Sequence, residues 1–330
     1  MKPSILKIAT VLGLLSWSSV SFALNANSGQ NISLVGNDSP NFNIGFQTGV
    51  MNGETAEQVF VPGRMVSELK WDFQNVVYVG GVVSAELWER VYLNAGYWTD
   101  VTENLGDMVD SDYLGSLPDF RTHLSTHDAD LTKWEATDCN VGVAFLKFGG
   151  DTVSSASPFG IDSALNFQAI FGYRTDEASW SGENGYYYYP GAQGMFTGKV
   201  IDYERKIHFP YIGLGMDLTV NKNLGLNLYY LRSIWVRIED DDTHVLRDLN
   251  FKGSMDNGYF QALGANLRWK VWRDLSLNAS VSFEDIKDAR GSTVIRDLPS
   301  NDFITSEAGG SEGVRNQVSH VSAGVSYQFG

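Results

Sequence analysis

A recurring two-residue alternation constrains this chain more than any other feature. From Met65 to Leu87 the odd positions carry Leu69, Trp71, Phe73, Val77, Val79, Val83, Ala85 and Leu87, while Glu68, Lys70, Asp72 and Gln74 occupy even positions. Side chains two apart share a face only in an extended strand, so this segment is a strand with two unlike faces. The pattern returns at Ile212, Leu214, Met216, Leu218 and Val220, at Leu224, Leu226, Leu228 and Tyr230, and at Val321, Ala323, Val325, Tyr327 and Phe329. After Ala23 no run reaches the roughly 18 apolar residues of a membrane helix, and no helical stripe persists.

Alternation alone also suits a soluble sandwich. Length separates the two, because soluble strands run about 5 or 6 residues and the Met65 to Leu87 segment continues far beyond that without Pro or a turn signal. A strand of about 20 residues tilted at ~45° rises roughly 45 Å, whereas the lipid-facing band of a barrel is about 25 Å tall, so the excess projects from the membrane. Short turns are expected at Trp88-Glu89-Arg90, Asn221-Lys222-Asn223 and Trp272-Arg273-Asp274, with a somewhat longer one near Gly149 to Gly160. Long polar links are expected at Gly53 to Gly63, Asn104 to Leu131, Gly182 to Gly198, Asp240 to Asp248 and Gly291 to Gly313. The expected fold is therefore all-β, a ten-stranded antiparallel transmembrane β-barrel with long extracellular strand extensions and loops and both chain ends at the short-turn side. Trp88, Tyr92, Trp272 and Phe329 are expected in interfacial girdles. Ten strands leave no general pore, and Glu68, Lys70 and Asp72 are expected to fill the lumen.

The first 23 residues read as an export signal: Lys2 and Lys7, an apolar stretch from Ile8 to Leu15, and Ser21-Phe22-Ala23 before the cut. Residues 24–330 then form one barrel domain. Loss of the two lysines takes the formal charge from −15 to −17. Such a surface repels nucleic acid and attracts cationic partners. Cys139 is the single cysteine, so no internal disulfide forms.

Two polar clusters flank the long links: Met108-Val109-Asp110-Ser111-Asp112 and Glu239-Asp240-Asp241-Asp242-Thr243-His244. On a strand, residues two apart point the same way about 6.6 Å apart, so Asp110 pairs with Asp112 and Asp242 with His244. Crowded carboxylates cannot both ionise easily and can hold water, while a carboxylate beside a His orients it as a base. If the pairs face each other across the mouth, water becomes the nucleophile. Asp-x-Asp also occurs at 128/130 and 240/242, so spacing alone leaves a solvated acidic loop or a weak calcium site open. A zinc site at His123 and His127 is set aside for want of helical periodicity, Cys139 reads as inert, His208 and His320 as wall residues, and Tyr186 to Tyr189 as a rim cluster. A lipid-hydrolysing barrel would need an inward Ser near a His, and no such spacing stands out.

The run Gly63 to Trp71, then Asn94-Ala95-Gly96-Tyr97-Trp98-Thr99, Asn104 through Asp112, Phe209-Pro210-Tyr211-Ile212-Gly213-Leu214 and Asp240 to His244 resembles the omptin family, outer-membrane endoproteases of Gram-negative bacteria. The resemblance implies a ten-stranded barrel with its site outside the cell, Asp110 and Asp112 as a water-binding pair, and Asp242 with His244 as a dyad. It implies cleavage after basic residues, with Glu57, Asp240 and Met108 in the substrate pocket, no metal or organic cofactor, and a monomer whose partners are cationic peptides or proteins. It further implies that lipopolysaccharide activates the enzyme, with Lys206 as a contact. Departures from the family pattern are His123 where an acid is expected, Glu177 where a cation is expected, and Gly330 after the final aromatic Phe329. The competing reading is a non-catalytic surface barrel, an adhesin or structural protein binding cationic host proteins through acidic loops.

Overall fold

The computed structural model describes residues 41–87, 90–102, 104–117, 120–149, 164–300, 302–306 and 310–329. The expected signal segment, Trp88, Glu89 and most of the Gly149 to Gly160 turn lie outside them. The strands are β1 (Asn41–Val61), β2 (Arg64–Leu87), β3 (Val91–Asp100), β4 (Asn104–Asp112), β5 (His123–Gly149), β6 (Ala164–Tyr189), β7 (Ala192–Met195), β8 (Lys199–Asn221), β9 (Leu224–His244), β10 (Leu249–Trp272), β11 (Leu275–Asp297), β12 (Phe303–Ser306) and β13 (Glu312–Phe329). β3 and β4 are two halves of one stave, each paired with β2 and β5. β7 and β12 are short additions to β6 and β11. The remaining strands pair antiparallel with their sequence neighbours, and β1 closes on β13 from Phe42↔Phe329 to Val59↔Glu312. Among the described residues the wall is thus a closed barrel of ten staves.

Most of the expected long links are paired strand. β1 runs to Val61 before a turn at Gly63, β9 runs through the whole acidic cluster to His244, and β11 continues to Asp297. Polar composition misleads there because the wall beyond the membrane is wet outside, so charge on a strand does not mark a loop.

The wall has two chemistries. Near the turns the outer face is apolar, with Phe171, Ile212, Leu214 and Leu263 exposed, while Asn94, Gln168, Asp217 and Asn227 face inward. There Asn227 and Gln168 both donate side-chain N–H groups to Asp217, at 2.6 and 3.0 Å, so polar groups in the lumen satisfy one another. Toward the long loops the sense inverts. Trp71, Trp134, Trp180, Tyr203, Phe209 and Phe260 are buried inside, and Trp71 stacks on Tyr203 at 5.8 Å. The inversion follows from solvent: outside that half is water, so oil goes in.

Bulges carry out the inversion on several staves, because one extra residue moves every later side chain to the opposite face. In β2 the register shifts opposite Met51/Gly53, where Asn75 has φ 58° and donates its backbone N–H to Asn52 Oδ1 at 2.8 Å. Below it Val77, Val79 and Val83 face out, and above it Leu69, Trp71 and Phe73 face in. This corrects the expectation that Glu68, Lys70 and Asp72 fill the lumen: they lie on the outer face, where Lys70 bonds Glu54 at 2.5 Å. Tyr92, expected in a girdle, is buried in the lumen, whereas Trp272 and Phe329 are exposed outside. His320 also points inward and packs against Tyr78 and Trp134.

Candidate active site

β9 carries an extra residue around Ile234 and Trp235, seen as register shifts against both β8 and β10. Below this bulge the odd residues face inward, and above it Val236, Ile238, Asp240 and Asp242 do. Without the bulge, Asp241 and Thr243 would enter the lumen and the dyad would point at solvent. Asp242 is buried, and His244 Nε2 donates to its Oδ2 at 2.8 Å. The strand ends there, and a single 3-10 turn, Val245–Arg247, stopped by Asp248 in the left-handed region at φ 52°, folds Arg247 back over His244. The Arg247 guanidinium donates to His244 Nδ1. With Nε2 protonated toward Asp242, Nδ1 carries the lone pair. Phe251, opposite Asp242 in the register, packs on the imidazole at 4.9 Å. No signal in the sequence singled out Arg247.

On the facing wall, β4 sits between β2 and β5 with Asp110 opposite Leu69 and Ser125, and Asp112 opposite Ser67 and His123. Met108, two residues deeper, is fully buried and packs below the mouth in the cluster with Trp71. Burial pushes the Asp110 carboxyl up to about 6; Asp112 adds to the rise, while His244 and Arg247 oppose it. Asp110 therefore feels both its neighbour and the dyad of β9. The two pairs, 130 residues apart in sequence, share one mouth.

A second acidic group lies beside the dyad. Glu57 of β1, Asp240 of β9 and Glu312 at the start of β13 are all more than nine-tenths buried. Asp240 accepts from the backbone N–H of Gly253 at 2.9 Å and from the Tyr203 hydroxyl at 3.3 Å. Burial, followed by repulsion from Asp242, raises its pKa to about 6. Burial, then Asp242, Asp240 and Glu312, drives Glu57 well above the usual carboxylate range. Glu312 was missed in the sequence because it stands alone in Gly-Ser-Glu-Gly with no spacing partner.

The remaining candidates separate from this centre. Lys206 points outward on β8, 2.8 Å from Glu204 and 3.9 Å from Glu177, which also bonds Lys133 at 2.7 Å. Tyr187 and Tyr189 pack in a tilted pair at 4.8 Å, and Tyr189 packs on His123 at 5.0 Å. Contrary to the expectation that no Ser lies near a His, Ser125 and His127, two apart on β5, bond at 2.9 Å, with His127 Nδ1 directed at the Asn184 carbonyl at 2.6 Å. Both residues are buried, so the hydroxyl does not open to substrate.

The omptin family model matches residues 38–329. The chain belongs to the omptin family. This omptin is 28% identical to the plasminogen activator of Yersinia pestis, over 98% of each chain. It is also 28% identical to the outer membrane protease OmpP of Escherichia coli K12, over 85% of this chain and 88% of that one. The crystal structure of the E. coli outer membrane protease OmpT superposes with a TM-score of 0.79 at 22% identity, covering 88% of this chain and 97% of the other. This omptin is a peptidase and a β-barrel protein of the Gram-negative outer membrane.

Proposed function

We propose that this omptin is an endopeptidase that cuts after Arg or Lys, using water held between the Asp110–Asp112 pair and the Asp242–His244 dyad. The observation that carries the reading is the shared mouth: Asp110 is perturbed by Asp112 on its own strand and by His244 and Asp242 across the barrel. Asp110 and Asp112 accept from the water and fix its position. His244, oriented through Nε2 by Asp242, takes a water proton at Nδ1 once Arg247 withdraws. The water oxygen bonds the peptide carbon, the C–N bond of the resulting intermediate breaks, and His244 returns the proton to the leaving amine. Desolvated surroundings strengthen each of these charge interactions.

Glu57 and Asp240 suit the basic side chain before the cut, since buried carboxylates that carry no ion pair among the described residues favour a guanidinium or ammonium. Met108 forms the apolar floor beneath it. On the outer face Lys206 is the proposed lipopolysaccharide contact, and the protein works as a monomer. Incubating folded protein and lipopolysaccharide with a peptide containing single Arg and Lys residues, and mapping fragments by mass spectrometry, tests the reading. Cuts directly after the basic residues, abolished in His244→Ala with the barrel intact, are expected. Uncut peptide would favour the non-catalytic alternative, and cutting unchanged in His244→Ala would remove the dyad from the mechanism.

A further inference from the structure

We propose that Glu312 is a specificity-determining residue, a third pocket carboxyl that makes the site select Arg over Lys and exchange a proton for the incoming guanidinium. The inference rests on the acidic-pocket reading above and deepens it.

The geometry begins with Gly253. A Cβ built at Gly253 would collide with Asp240 Oδ1 and with both carboxylate oxygens of Glu312, so the two carboxyl groups meet in the space that a side chain would fill. Two carboxyl groups crowded into one buried space cannot both stay ionised without a large cost, so the pair retains a proton. Glu312 Oε2 and Glu57 Oε2 are buried with no hydrogen-bond partner among the described residues. Orphaned acceptors of this kind are costly unless a ligand completes them. Because β1 and β13 pair at Val59↔Glu312, the two orphans approach from adjacent staves, while Asp240 comes from β9.

The charged and titratable groups around Glu312 are Asp240 and Asp242 on β9, Glu57 on β1, Tyr203 and Arg205 on β8, and Asp110 across the mouth. Arg290 of β11 lies over the ring of Phe60. Arg205 turns to Thr55 and Asn316, so its bonds go away from the acids. The carboxyl groups of the cluster thus outnumber its cations. Burial and Asp240 together raise the Glu312 carboxyl to about 9. A guanidinium has five N–H donors in a plane and can serve two carboxylates along two edges. An ammonium has three donors on one atom and lacks the flat fork that meets two carboxylates from separate staves edge-on. When the guanidinium binds, the shared proton leaves to solvent, and no bond other than that O–H changes.

The test is steady-state cleavage of matched peptides with Arg or Lys before the cut, for wild type, Glu312→Gln and Gly253→Ala, between pH 7 and 9. For wild type, KM for the Arg peptide should fall about tenfold or more across that range as the proton becomes easier to expel. Glu312→Gln should flatten this slope, raise KM for Arg at pH 9 about tenfold, lower the Arg-to-Lys ratio of kcat/KM at least about fivefold, and leave kcat within about twofold. Gly253→Ala, which forces the pair apart while keeping every charge, should also flatten the slope. Glu312→Gln keeps a neutral N–H donor beside Asp240 in place of the protonated carboxyl, so the barrel should fold about as stably at pH 7. Wild-type slope and Arg-to-Lys ratio in both variants would overturn the inference while leaving the acidic pocket standing. If wild type cuts at no basic residue, both readings fall together.

Discussion

Replacing Asp110 by Asn should separate stability from activity. In the folded chain the Asp110 carboxyl is pushed from an ordinary value of 3.8 to about 6, first by burial and then by Asp112. At about 1.4 kcal/mol per pH unit, that rise corresponds to at most about 3 kcal/mol, since the mouth opens to water. The folded state holds this proton more tightly than the unfolded chain. Its stabilising contribution is full below about pH 4 and is lost as the pH rises through about 6. Asn cannot ionise, so the stability difference between Asp110→Asn and wild type should grow from near zero at pH 4 to as much as about 3 kcal/mol in favour of the variant at pH 8. Urea unfolding of the barrel in lipid vesicles, followed by tryptophan fluorescence at both pH values, measures the difference. The same variant should lose cleavage by about 10²-fold or more, the order of loss when the attacking group is no longer held in position. A variant no more stable than wild type at pH 8, or one equally stabilised at pH 4, would refute the account of Asp110 as a half-buried, repelled carboxyl.

Three further outcomes are expected. Arg247→Ala removes a cation that holds the Asp110 carboxyl down, so the acidic limb of the kcat/KM profile should move to higher pH; a limb that stays or moves down would show that Arg247 lies away from the pair in solution. Glu177→Arg relieves Lys133 and Lys206 of their shared anion, and the lipopolysaccharide concentration for half-maximal cleavage should fall at least about fivefold, at about 1 kcal/mol per added cation near an anionic surface; an unchanged titration would remove Lys206 as a lipid contact. Leu214→Arg places a charge on the exposed outer face of β8, which should cost about 2 to 4 kcal/mol if that position lies at the bilayer midplane, read from folding yield into vesicles; full folding would place it outside the lipid.

The sequence by itself determined that long strands with unlike faces close into a wall, and that Asp110 with Asp112 and Asp242 with His244 lie two apart and share a direction. Both are consequences of the two-residue repeat of extended backbone, which any reader of the chain can count. It could not say which direction was inward. That was decided by the bulges near Asn75 and Ile234-Trp235, each a single unpaired residue with little local signature, which turn Trp71 inward and Lys70 outward and bring Asp240, Asp242 and His244 into the lumen. Tertiary structure alone also brought Glu312 against Asp240 over Gly253 and laid Arg247 across His244. Such meetings depend on register between staves distant in the chain, and register is set by closure of the whole barrel, a property that no local stretch of residues contains.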